Sequence, residues 1–242
     1  MYRIFILILT LTTVLTADEA RLIIQKVDNN IRGKNIYMKI SMKIVSLRHT
    51  RSMQMENWSQ GSKKSFVKIV YPPKDRGITF LSLDNQMWQY VPKIERTIKI
   101  PPSMMLQNWM GSNITNDDMV KQSSIVEDYT PRIVKREGKL VTMELIPKEE
   151  AAVVWAKVVS LIDISTYTSQ KDIFYDEEGE AVRVFLYDKV KKFGEYYLPT
   201  YWRVEPMDKD NSFTEIILED VKYDISISDQ YFRKSALKRF SR

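Results

Sequence analysis

The chain has no cysteine, one histidine and only seven glycines among its 242 residues. Without thiols it cannot form disulfides, hold a thiolate metal site or carry a lipid on a cysteine of its own. The single imidazole, His49, lies between Arg48 and Arg51; neighbouring cations make it a poor metal ligand and a poor triad base. Seven glycines leave little material for a backbone phosphate cradle. No G-x-S-x-G, H-E-x-x-H or glycine-rich phosphate loop occurs. The adjacent carboxylates Asp117/Asp118 and Glu149/Glu150 read as cap and turn residues rather than as an acid-base pair. No catalytic residue, metal or cofactor is therefore expected, and a binding role is favoured over an enzymatic one.

Long hydrophobic runs are also scarce. The stretch Ile4–Leu15 is apolar for about a dozen positions, short of the roughly 20 that a membrane span needs. Arg3 before it and Leu15-Thr16-Ala17 after it complete a secretory signal over residues 1–17, with cleavage before Asp18; an uncleaved N-terminal anchor is the rival reading. Removing 17 residues from 242 leaves 225, and no linker, repeat or low-complexity stretch divides residues 18–242, so one domain is expected there. The formal charge is +6. Basic residues cluster at Lys189, Lys191 and Lys192 and in a tail of Arg233, Lys234, Lys238, Arg239 and Arg242. Export argues against nucleic acid as their partner and favours anionic lipid headgroups. The tail otherwise reads as solvated and frayed.

Periodicity organises the remainder. From Asp18 to Ile31 the apolar residues Ala20, Ile23, Ile24, Val27 and Ile31 recur at helical spacing, with Gly33 just beyond, which predicts an amphipathic helix. At Ile36 the period becomes two: Ile36, Met38, Ile40, Met42 and Ile44 share one face of a strand and Tyr37, Lys39, Ser41 and Lys43 the other. Further strands are expected at 52–60, 64–71, 77–83, 86–91, 96–100, 125–134, 140–146, 153–163, 170–175, 181–190, 197–205 and 213–223, with a short helix from Thr115 to Ser123. Such a meander closes, or half closes, around an apolar interior. The pattern does not separate a solid core from a lined cavity.

The segment from Trp88 to Met119 differs from the other connections. Trp88 and Tyr90 leave one face of a strand together, and between Pro101 and Gly111 come Met104, Met105, Leu106, Trp109 and Met110. Soft methionines beside an aromatic ring suit either a plug for one end of a core or an adaptable apolar surface.

W-x-Y-x-P at Trp88–Pro92, followed by a basic strand and by W-x-G-S-N-x-T-N-D-D from Trp109 to Asp118, resembles the outer-membrane lipoprotein-sorting family of LolA-like periplasmic carriers. Three more blocks keep the family order: Tyr71-Pro72-Pro73-Lys74-Asp75-Arg76-Gly77 before Phe80-Leu81; Tyr175-Asp176-Glu177-Glu178-Gly179; and Tyr197-Leu198-Pro199-Thr200 with Trp202, ahead of Phe213-Thr214-Glu215. Asn113 departs from the family's acidic turn residue, whereas Asp118 keeps the later one. The resemblance implies a mainly β (α+β) fold: an incomplete antiparallel barrel of about eleven strands, with an N-terminal helix and a short helical lid over an apolar cavity. It also implies a monomeric periplasmic carrier for lipoprotein acyl chains or lipid. Such a carrier is loaded by an inner-membrane export complex or transporter and unloaded at an outer-membrane acceptor. Met104, Met105, Leu106, Trp109 and Met110 are then lid or rim candidates, and Trp88 and Tyr90 wall candidates. The alternative is an envelope regulatory or transporter-associated module on the same scaffold that recognises a protein partner.

Overall fold

A computed structural model describes the backbone of residues 2–121, 125–151 and 153–242, with side chains for all of these except 2–16 and 121. Among the described residues, thirteen strands form one antiparallel sheet. The first meander comprises β1 (Asn35–Val45), β2 (Thr50–Gln60), β3 (Lys64–Tyr71), β4 (Thr79–Leu83), β5 (Gln86–Val91) and β6 (Arg96–Ile100). The second comprises β7 (Tyr129–Glu137), β8 (Leu140–Pro147), β9 (Lys157–Asp163), β10 (Thr168–Tyr175), β11 (Ala181–Phe193), β12 (Tyr196–Pro206) and β13 (Phe213–Tyr223). Consecutive strands are neighbours throughout each meander, and β1 pairs with β13 to fuse the two.

That fusion puts β6 and β7, adjacent in sequence, at opposite edges of the sheet. The barrel therefore stays open, and residues 101–128 have to cross from one edge to the other. Both edges are charged, with Arg96 and Lys99 on β6 and Arg132, Lys135 and Arg136 on β7, which discourages pairing with another chain. The strand count exceeds the eleven implied by the family resemblance and equals the number of alternating runs in the sequence.

Helix α1 (Tyr2–Arg32) buries Ala20, Ile23, Ile24 and Val27 against Tyr129, Val141, Met143, Leu145, Val158 and Ile162. These positions make one apolar stripe at helical spacing, as expected. Buried Asn30 fastens the helix: its Nδ2 donates to the carbonyls of Thr166 (2.8 Å) and Tyr167 (2.9 Å), and its Oδ1 accepts from the Tyr197 amide. Gly33 ends the helix in the left-handed region at φ +53°, where an added Cβ would stand 2.7 Å from the Tyr223 ring, so only glycine fits. The expected signal segment, 1–17, falls on residues whose side chains lie outside those described, apart from Ala17. No helix among the described residues is long and apolar enough to cross a membrane.

Two expectations are corrected. Residues Ile125–Asp128 are a helical turn, α3, rather than the start of a strand, because Ile125 and Val126 turn toward the α1 cluster; the tertiary contact overrides the strand preference of β-branched residues. The C-terminal tail is docked instead of frayed. A short 3-10 turn (Asp229–Phe232) and helix α4 (Lys234–Arg239) bury Phe232, Ala236 and Leu237 on the convex face of the sheet, against Phe66, Leu81, Trp88 and Tyr90. Thr79 Oγ1 donates to the Leu237 carbonyl at 2.7 Å.

Candidate functional site

The concave face of the sheet carries a cavity of about 140 Å³ where the two meanders join. Its walls are the inward residues of β1, β2, β3 and β13, among them Met38, Ile40, Met42, Met55, Val67, Ile216 and Leu218, with Trp202 from β12. Its roof is Ile114, Asp118, Met119 and Val120, from the crossing segment and its helix α2 (Asn116–Lys121). Four of the lining residues are methionines, whose rotamers adapt to the shape of an occupant. One end is polar, where the β2–β3 turn contributes Ser62 and Lys63 and the end of α1 contributes Arg32. Just inside, Asn57 Nδ2 donates to Ser65 Oγ (2.8 Å) and Ser59 Oγ donates to Asn57 Oδ1 (2.9 Å).

The crossing segment is folded on itself before it meets the sheet. The Asp117 amide donates to the Met105 carbonyl at 2.8 Å, Asn116 Nδ2 to the Met104 carbonyl at 2.9 Å, and the Trp109 amide to the Ile114 carbonyl at 2.7 Å. Thr115 and Asp118 cap α2 reciprocally: the Thr115 amide donates to Asp118 Oδ2 (2.7 Å) and the Asp118 amide to Thr115 Oγ1 (3.1 Å). Ties to the sheet come from Arg51 Nη1, which donates to the Met110 carbonyl, and from the Asn113 amide, which donates to Thr214 Oγ1.

The strongest tie is one that spacing gives no hint of. Arg183 on β11 meets Asp118 in a two-pronged pair, Nη1 to Oδ2 at 2.6 Å and Nη2 to Oδ1 at 2.8 Å, with side chains only 5% and 10% exposed. The rings of Trp155, Phe174 and Phe185 surround the guanidinium at 4.6–4.9 Å. A planar cation that stacks on rings while donating to a carboxylate is a role for arginine and not for lysine.

The structure separates the sequence candidates. Trp109 is 1% exposed and packs on Phe80 with ring centroids 5.1 Å apart. Met105 and Met110 lie half-buried on the same core cluster. Met104 (36% exposed) and Leu106 (57%) face outward. Trp88 and Tyr90 do not line the cavity: the side chains of β5 alternate, so Met87 joins the concave core while Trp88 and Tyr90 lie under the C-terminal helix. Sequence reasoning missed the lining residues Met38, Ile40, Met42 and Met55, although alternation had placed the first three on one face of β1. Among the described residues, no group of three or more His, Cys, Asp or Glu side chains could hold a metal ion.

The second meander holds a buried acid, Asp172. Burial pushes its carboxyl above the usual range, against the opposing effect of the Ser160, Tyr187 and Ser169 hydroxyls, and its Oδ1 has no hydrogen-bond partner. With the folded value above the unfolded one, the folded state holds the proton more tightly. Stability therefore rises as pH falls through the folded value, and the penalty is fully present above it. Asp172→Asn is expected to raise stability at neutral pH by about 1–3 kcal/mol, and the gain should vanish on acidification. Chemical denaturation of both proteins at neutral and acidic pH checks this; a gain that does not change with pH would assign the effect to packing instead.

An open antiparallel half-barrel, backed by an N-terminal helix and roofed by the segment that joins its two edges, is a LolA-like fold. Solved structures share it. A DUF1329 family protein from Desulfovibrio piger superposes with a TM-score of 0.84 at 20% identity, over 92% of this chain and 99% of that one. An outer membrane lipoprotein-sorting protein domain from Vibrio parahaemolyticus gives 0.79 at 20% identity, over 92% and 100%. A LolA superfamily protein from Nitrosomonas europaea gives 0.75 at 20% identity, over 90% and 98%. At this identity the likeness establishes the fold alone. No curated protein matches the sequence. The model of a family described as "uncharacterized protein" matches residues 61–239, and the chain belongs to that family.

Proposed function

We propose that the protein is a periplasmic carrier that takes the acyl chains of a lipid or lipoprotein into the cavity under the crossing segment and shuttles them toward the outer membrane. The observation that carries this reading is the cavity itself, walled by methionines and aliphatic side chains away from its polar end and roofed by a separately folded segment. Each methylene moved from water into it contributes about 0.8 kcal/mol, so a chain of modest length is held without any specific polar contact. No reaction on the carrier is required.

A volume of about 140 Å³ suits a benzene-sized guest, whereas drug-sized ligands occupy roughly 300–1,000 Å³. The described state is on this reading the closed one, and loading enlarges it. Met38, Met42, Met55 and Met119 can re-orient, and Met105, Trp109 and Met110 form the inner side of a lid that an acyl chain displaces. Met104 and Leu106 remain on its outer side, where a loading or receiving partner would meet them. The names of the structural relatives and the signal expected at residues 1–17 support the compartment, and transfer between an inner-membrane complex and an outer-membrane acceptor belongs to the same proposal.

The test is to fill the cavity. Ile40→Trp with Met119→Trp should weaken binding of a fluorescent fatty acid at least tenfold, about 1.4 kcal/mol, while the protein still melts cooperatively. Native mass spectrometry of the wild type should show co-purifying lipid. Unchanged fatty-acid affinity in the filled variant, with no lipid on the wild type, would sink the carrier reading in favour of a module that recognises a protein.

A further inference from the structure

We propose that Trp202 and Ile31 are the stop that sets the length of acyl chain the cavity accepts. This rests on the carrier reading and narrows its cargo by chain length. Both residues line two separate spaces: the cavity of about 140 Å³ under the crossing segment, and a second chamber of about 20 Å³ toward the second meander. Val27 of α1, Thr168, Tyr187 and Leu198 are among the walls of that chamber.

The strand register places Trp202 between the two spaces. Met42 of β1 pairs with Ile216 of β13, Ile216 with Trp202 of β12, and Trp202 with Tyr187 of β11. Along this row Met42 and Ile216 line the larger cavity, Tyr187 lines the smaller chamber, and Trp202 lines both. The indole is therefore the wall itself. Ile31 completes the partition from the helix, where it packs on both concave core clusters.

This partition is rigid where the rest of the lining is soft. Trp202 Nε1 donates to the Pro199 carbonyl at 2.7 Å, and the Tyr187 ring stands edge-on to the indole with centroids 5.8 Å apart. Ile31 follows Asn30, whose hydrogen bonds to Thr166, Tyr167 and Tyr197 fix that turn of α1. The methionines can re-orient around a guest, but the indole cannot swing away without losing its hydrogen bond and its ring contact. On the other side of the row the core is filled: Met53, opposite Met42 on β2, and Ile44 are buried and lie outside the lining. The chamber behind Trp202 is about the size of one water, so a methylene chain does not pass into it while the indole stands. A chain that has filled the space beside Met42 thus gains nothing from further carbons.

Binding of saturated fatty acids of about 8 to 18 carbons, below their micellar concentrations, is measured on the wild type and on Trp202→Ala. Wild-type affinity should rise about fourfold per added methylene up to a limiting length and then level off. Removing the indole joins the two spaces, so the limit should move out by about two carbons or more. Ile31→Ala opens the same partition from the helix and should move the limit in the same direction, which keeps the test decisive if Trp202→Ala does not fold. A merely structural role would weaken every length alike and leave the limit where it was. An unchanged limit in either folded variant, or a wild-type affinity that climbs through the whole series without levelling, would overturn the stop. If no length binds the wild type, the carrier reading falls as well, a result distinct from binding with an unchanged limit.

Discussion

Removing either partner of the Arg183–Asp118 pair is expected to lower stability by about 3–5 kcal/mol, a drop of roughly 6–20 °C in the melting midpoint. The pair is nearly fully buried, so Arg183→Met leaves a carboxylate and Asp118→Ala leaves a guanidinium with no counter-charge. The second change also strips the Thr115 amide and hydroxyl of their acceptor at the start of α2. The double variant removes both charges together, and the introduced methionine would restore apolar contact among Trp155, Phe174 and Phe185. It should therefore be clearly more stable than the sum of the single losses implies, with a coupling of about 1–3 kcal/mol. A denaturation cycle over the four proteins measures this directly, and single losses that simply add would show that the two residues do not act as a unit. The consequence for the cavity is mechanical: Asp118 and Met119 are consecutive roof residues, so the pair pins the α2 end of the roof to β11. Hydrogen exchange in residues 105–120 should accelerate in Arg183→Met before global unfolding does.

The second large effect is expected at the C-terminus. Deleting residues 229–242 should abolish recovery of folded, monomeric protein, and Leu237→Ala alone should cost about 2–5 kcal/mol. Leu237 is fully buried, and the helix that carries it covers Phe66, Leu81, Trp88 and Tyr90 on the convex face of the sheet. The rings interlock as well: Tyr231 stacks on Trp58 with centroids 4.7 Å apart and on Phe240 at 4.5 Å. Deletion would leave this aromatic patch facing water, a surface that drives association. A truncated chain that stayed soluble with an unchanged melt would show that the tail is dispensable after all.

The two effects lie on opposite faces of one sheet, and that arrangement explains which features were readable. Alternation marked the strands, in several cases to the residue: β3, β5, β6 and β13 begin and end where the pattern places them. Helical spacing from Ala20 to Ile31 marked the face that α1 buries. These features are local, because a side chain's direction follows from its position along a strand or helix whatever lies opposite. The crossing segment was equally conspicuous, since five large apolar residues between a proline pair and a glycine are unusual in a connection between strands.

Alternation identifies two faces without saying which is inside, and it loses even that contrast where both faces are apolar. In β5, Met87 faces the concave core and Trp88 the convex one, and only the docking of α4 distinguishes them. The Asp118–Arg183 pair joins residues 65 apart in sequence, and nothing in the spacing of either marks the other. The strands, apart from the start of β7, their antiparallel order and the amphipathic helix were legible in the sequence, through backbone periods that each segment carries alone. The tertiary structure decided that the barrel stays open, that Ile114 and residues 118–120 roof the cavity, that the basic tail is a packed helix, and that the cavity is walled by the methionines of β1 and β2 rather than by Trp88 and Tyr90. Each of those outcomes is a choice of what covers what, made by burial between distant segments.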